Sequence, residues 1–125
     1  MEKAMRTMTI VIERDEAVAR QRLRAGMRRA AGTGRYQGEV RSFQSPEALF
    51  RVLSPVRWTL IERLQGLGPV SLRGLARELG RDVKSVHRDV KVLVDEGLVD
   101  RDEAGRVYVP FDRIHAQFAM ARAAA

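Results

Sequence analysis

Between Arg81 and Lys91 the chain sets cations at helical spacing. Lys84, Arg88 and Lys91 stand four and three residues apart and so share one helix face, with His87 beside them and Arg81 and Ser85 towards the helix start. A row of ammonium and guanidinium groups neutralises phosphates. A guanidinium also fits the paired acceptors of a guanine edge, and a hydroxyl or imidazole adds one directed hydrogen bond. The chemistry on offer is recognition of a polyanion, without bond making. A helix presenting this ridge needs an apolar opposite side. Val83, Val86, Val90, Leu93 and Val94 supply it over about Asp82 to Glu96, and Gly97 closes the helix.

The elements around that helix follow from the same kind of pattern. Ser71 caps a preceding helix whose Leu72, Leu75, Ala76 and Leu79 recur at helical steps, with Gly80 just past its end. Ala76 is small where two helices must approach closely. Further back, Ser45-Pro46 and Ser54-Pro55 each start a helix, the first carrying Leu49, Phe50 and Leu53, the second Val56, Leu60, Ile61 and Leu64. Gly66-Leu67-Gly68-Pro69 stops the second, and Trp58 is expected to be partly buried on it. After Gly97, Leu98–Arg101 and Arg106–Val109 flank Asp102-Glu103-Ala104-Gly105, which predicts a hairpin. Helix, short turn, helix, hairpin is the order of a winged helix-turn-helix, expected over residues 45–112. On that frame the candidate DNA-binding residues are Arg81, Lys84, Ser85, His87, Arg88 and Lys91, with Arg73 on the preceding helix and Arg101 and Arg106 on the hairpin as lesser contacts.

Residues 1–44 read as a strand-helix-strand arm for dimerisation or partner binding. Met8, Ile10 and Ile12 alternate, and Asp15 caps a helix with Ala19, Leu23, Met27 and Ala30 as its inner stripe. Arg20, Arg24 and Arg28 fall on another face, a solvated one. Gly32, Gly34 and Gly38 end the helix before a second strand, Glu39 to Phe43. The stretch GTGRYQG has the wrong glycine spacing for a phosphate loop and reads as a linker. In residues 113–125, Ile114, Ala116, Phe118 and Met120 alternate like a strand while Ala119 to Ala125 favours helix, so that segment stays open. The class expected is mainly α within α+β.

Composition agrees with the placement of charge. Of 125 residues, 23 are lysine or arginine and 16 aspartate or glutamate, a formal net charge of +7 with a sequence pI near 10.9. From Arg51 to Lys91 nine cations face four acids, a net of +5, whereas Val92 to Asp112 holds two cations and six acids, a net of −4. The positive charge therefore centres on the two helices ahead of the hairpin. Cysteine is absent, which removes disulfides, thiol nucleophiles and thiolate zinc sites and suits a reducing interior. His87 and His115 are the only imidazoles, no serine sits in a nucleophile elbow, and Asp112 with His115 gives too few ligands for a metal. The expectation is no enzyme, no catalytic residue, no cofactor and no metal. The apolar run Met8–Ile12 is too short for a signal or membrane segment, so a cytoplasmic protein without a membrane partner is expected.

Residues from about Leu49 to Phe118, with "LSPVRW", "LARELGRDVKSVHRDVKVL", "GLVDRDEAGRVYVP" and Ile114-His115, resemble a family of small prokaryotic winged-helix proteins described as DNA-binding transcriptional regulators. The generic part is shared with regulators of the MarR and ArsR type. Lys84, His87 and Asp89 together with "SPVRW" make the likeness more specific. The resemblance implies a DNA-binding regulator; because one recognition helix buries little, a homodimer on duplex DNA is expected, a repressor by preference. Some relatives of this kind look like the antitoxin half of a toxin-antitoxin pair. In that alternative residues 1–44 would hold the toxin.

Overall fold

The structure is a computed structural model that describes residues 5–33 and 38–122. In chain order its elements are β1 (Thr7–Ile12), α1 (Glu16–Thr33), β2 (Glu39–Phe43), α2 (Pro46–Val52), α3 (Pro55–Leu67), α4 (Leu72–Leu79), α5 (Val83–Asp95), β3 (Asp100–Arg101), β4 (Val107–Tyr108) and β5 (Arg113–Gln117). The class is α+β. The chain divides into two compact units, one running through Leu49 and resuming at Arg113, the other Phe50–Asp112. The seam thus falls after Leu49, where the sequence suggested Ser45. The Ser45-Pro46 signal starts a helix, and that helix runs on continuously through the boundary.

In the first unit β1 is the central strand of a three-stranded parallel sheet, order β2-β1-β5. Parallel neighbours need a crossover, and α1 provides the one from β1 to β2. Alternation decides which side faces inward: Met8 and Ile10 are buried while Thr7, Thr9 and Val11 are only partly covered. Phe43 completes this small core. Asp15 caps α1 as expected, accepting from the N–H groups of Ala17 at 2.9 Å and Val18 at 3.4 Å. Of the predicted inner stripe of α1, Leu23 and Met27 are exposed and Ala19 is only partly covered. Arginines crowd both flanks of so thin a stripe, leaving little apolar width to pack. Gly32 lies within α1 instead of ending it; Gly34 and most of the GTGRYQG stretch are outside the described residues.

The segment after Asp112, expected as a separate tail of undecided type, is β5. The N–H of Arg113 donates to the carbonyl of Arg6 at 3.1 Å, and Met8 pairs with Ile114, Ile10 with Ala116. The edge of β1 opposite β2 gives those residues a ladder that a tail would lack. No helix among the described residues is long and apolar enough to cross a membrane.

The second unit is built on three capped helices. Ser54 accepts from Arg57 N–H at 3.4 Å with Pro55 in the first turn, Ser71 accepts from Gly74 N–H at 3.0 Å, and Asp82 accepts from Ser85 N–H at 3.1 Å. Each cap satisfies a backbone donor that the first turn leaves open. Leu60, Ile61 and Leu64 of α3, Leu75 and Ala76 of α4, and Val86, Val90 and Leu93 of α5 are buried with Leu53, Leu98, Val99, Val107 and Phe111. Trp58 is partly buried, whereas Phe50 and Val56, assigned to inner faces by periodicity, are exposed. Gly80 turns the chain between α4 and α5 at φ 63°, a left-handed conformation that a side chain would strain.

The hairpin is shorter than its sequence suggested. Leu98 and Val99 serve as core, and only Asp100–Arg101 and Val107–Tyr108 pair. Val107 also pairs with Val70, each donating to the other's carbonyl at 2.8 and 3.0 Å, which draws the loop before α4 into the same small sheet. This has a consequence at Gly74. A Cβ there would stand 2.9 Å from Val70 Cγ2 and 3.1 Å from Ser71 Oγ. Val70 is pinned through its backbone to Val107, and Ser71 is engaged as the cap. Gly74→Ala is therefore expected to destabilise by about 1 kcal/mol or more, against the gain of roughly 1 kcal/mol usual for that change in a helix. A raised melting temperature would contradict the tight fit.

Candidate functional site

Successive residues of a helix turn by about 100°, so burial on α5 sorts its side chains by face. Val86, Val90 and Leu93 are fully buried. Lys84, His87, Arg88 and Lys91 are exposed and fall within an arc of about 100° on the other side. Asp95 shares that arc at the far end of the helix. Val83, expected inside, sits at the margin and is 37% exposed. Lys84, Arg88 and Lys91 form no ion pair among the described residues, so their charge is directed to solvent.

Arg81 and Ser85 do not join that face. Arg81 Nη2 donates to Asp89 Oδ2 at 2.6 Å and to Ser85 Oγ at 3.0 Å, and only 25% of the Arg81 side chain is exposed. The second oxygen of Asp89 accepts from Arg57 Nε at 2.9 Å. Arg57 reaches on with Nη1 to the carbonyls of Arg51 at 2.8 Å and Val52 at 3.3 Å, the open carbonyls at the end of α2. Burial pushes the Asp89 carboxyl up, but the hydrogen bonds and charges of Arg81 and Arg57 outweigh it and hold the group below its ordinary value. Arg81 Nη1 is buried without a hydrogen-bond partner among the described residues. Two residues assigned by sequence to nucleic-acid contact are thus tied into a clasp that fixes α5 to its neighbours. One signal for it is legible in the sequence: Asp89 is the only acid between Lys84 and Lys91.

Around the turn, Arg73, Ala76, Arg77, Gly80, Arg81 and Val83 line one shallow cleft. Arg73 and Arg77 are exposed, four residues apart on the outer side of α4, and like the α5 cations form no ion pair among the described residues. Glu78, the acid nearest in sequence, is engaged by Arg63 at 2.7 Å. Arg77 was not singled out from the sequence, although its spacing from Arg73 is the same i, i+4 step that marked Lys84 and Arg88.

On the hairpin the two arginines differ. Arg101 is exposed and its side chain has no ion-pair partner among the described residues, whereas Arg106 Nε donates to Asp102 Oδ2 at 2.8 Å. Asp102 also accepts from the N–H groups of Ala104 and Arg106, at 3.0 and 2.9 Å, closing the turn. No three His, Asp or Glu side chains gather into a metal cradle among the described residues. What the site offers chemically is an exposed cationic ridge on α5, extended by Arg73 and Arg77 of α4, held on an apolar underside.

A family model described as HVO_A0114 matches residues 52–116, 65 of the 125 positions. No curated protein and no solved structure matches the chain.

Proposed function

The chain belongs to the HVO_A0114 family, and we propose that its second unit is a winged helix-turn-helix that binds duplex DNA and regulates transcription. The observation that carries this reading is the arc of Lys84, His87, Arg88 and Lys91, exposed on a helix whose opposite side is fully buried. An α-helix fits the major groove, and this one would bring Arg88 and His87 to base edges and Lys84 and Lys91 to phosphates. Arg73 and Arg77 add phosphate contacts from α4. Element order supports the assignment: α3, the Val70 bridge, α4, α5 and the β3-β4 hairpin follow one another as such a domain requires.

One such helix buries little, so the protein acts as a homodimer on a pseudo-palindromic site with half-sites about one helical turn apart, repressing by covering a promoter. The test is an anisotropy titration of the full chain against the duplex upstream of its own gene, repeated across salt. Five cations per protomer assigned to phosphates, Lys84, Lys91, Arg73, Arg77 and Arg101, give an expected slope of log affinity on log salt on the order of −4 to −5 per protomer. A flat slope, or equal affinity for unrelated duplexes, rejects the reading. Within the hairpin, Arg101→Ala is expected to flatten that slope by up to about one unit, and Arg106→Ala by less, because Asp102 already neutralises Arg106. Equal effects would place Arg106 on a phosphate after all.

A second reading is favoured by one observation in the first unit: Leu23 and Met27 of α1 and Val40 of β2 stay exposed. In it the chain is an antitoxin that neutralises a toxin by contact through that unit and represses its own operon through the other. Co-purification with the product of an adjoining reading frame distinguishes it from a simple regulator.

A further inference from the structure

We propose that Asp89 is a positioning residue that sets the roll of α5, and with it which duplexes the protein prefers; the inference rests on the DNA-binding reading above. The valines under α5 cannot do this alone. Apolar contact is non-directional, and a helix can roll by some degrees while Val86, Val90 and Leu93 stay covered. Asp89 removes that freedom because its two oxygens are taken from two directions. Arg57 of α3 holds Oδ1 at 2.9 Å, and Arg81 of the α4–α5 turn holds Oδ2 at 2.6 Å.

Each arginine is itself anchored. Arg57 Nη1 is fixed on the Arg51 and Val52 carbonyls at 2.8 and 3.3 Å. Arg81 is fixed on Ser85 Oγ at 3.0 Å, one turn before Asp89. The three side chains are 15 to 25% exposed, so water competes weakly for these bonds. Asp89 follows Arg88 directly, about 100° further round the helix at the margin of its buried side, and any roll at Asp89 is passed to Arg88 and His87.

Magnitude decides what the roll affects. At about 6 Å from the helix axis a roll of 20° moves a side-chain tip by about 2 Å. A base-edge hydrogen bond does not survive that displacement. A flexible lysine on a phosphate does. The clasp therefore governs discrimination between sequences more than general affinity for DNA.

The experiment compares the full chain with Asp89→Asn and Arg57→Lys, each checked for a cooperative melt. Affinity is measured for the upstream duplex and for an unrelated duplex of equal length, and amide hydrogen exchange is followed over Val83–Asp89 in protein free of DNA. Expected are a fall of about tenfold in preference for the upstream duplex, unrelated-duplex affinity within about twofold of the parent, and faster exchange in the first turns of α5. Arg57→Lys keeps the charge but loses the fork that spans Asp89 and the α2 carbonyls, and carries the test should Asp89→Asn not fold. An unchanged preference, a parallel loss on both duplexes, or parental exchange rates overturns the proposal. If the parent itself shows no salt-sensitive binding, the DNA reading fails, and the exchange arm alone decides the clasp.

Discussion

Replacing Lys84, Arg88 and Lys91 together by alanine is expected to lower affinity for the upstream duplex on the order of a thousandfold at moderate salt, and to flatten the salt slope by nearly two units per protomer, from the two lysines on phosphates. Each cation that leaves a phosphate returns one set of condensed counterions, which fixes the slope change at about 0.9 per contact. Affinity falls further at Arg88 if it reads a base, by about 1–3 kcal/mol, and that part is insensitive to salt. The single variants therefore separate the roles. Lys84→Ala and Lys91→Ala weaken binding to all duplexes alike and change the slope, while Arg88→Ala narrows the gap between the upstream and unrelated duplexes and leaves the slope nearly unchanged. Stability should hardly move, because all three side chains are exposed and form no ion pair among the described residues. Unchanged affinity in a folded triple variant would remove α5 from the interface. Fold and function are thus tested on different residues.

What the sequence disclosed and what it withheld divide along local and tertiary lines. Ser54 and Ser71 were legible as caps because a cap acts on donors two or three residues ahead. The buried side of α5 was legible because Val86, Val90 and Leu93 repeat at the helical period. The fate of Arg81 was not. Whether a cation faces solvent or an acid depends on a partner, and the Asp89 clasp draws on Arg57, 32 residues away. The same limit explains β5, whose parallel partner β1 lies about a hundred residues earlier in the chain. Alternation over Ile114 and Ala116 was visible, but only the unpaired edge of β1 selects strand over helix. Periodicity also misassigned Leu23, Met27, Phe50 and Val56, since an apolar residue at the right spacing is buried only if something arrives to cover it. The cations that remain as the candidate interface are those for which nothing arrives.

Removing the charge at Asp89 should cost stability in a way that depends on acid. The carboxylate accepts from two guanidinium groups in a partly buried position, so Asp89→Asn is expected to destabilise the protein by about 2–3 kcal/mol at neutral pH, between the cost of a charged hydrogen bond and that of breaking a fully buried pair. Because the folded protein holds this carboxyl below its ordinary value of 3.8, the unfolded chain takes up the proton first. The charge contribution is therefore complete above that value and is lost as pH falls from 3.8 through the depressed folded value. Denaturant unfolding of the parent and of Asp89→Asn should show a gap that is constant from neutral pH down to about 4 and then narrows. The other carboxylates are common to both proteins and cancel in the difference. A gap that stays constant into acid would assign the loss to the shape of the amide, and the two arginines would then hold α5 by packing without charge. A gap that widens in acid would reverse the sign of the linkage and place Asp89 against repulsive neighbours, contrary to its 2.6 and 2.9 Å contacts.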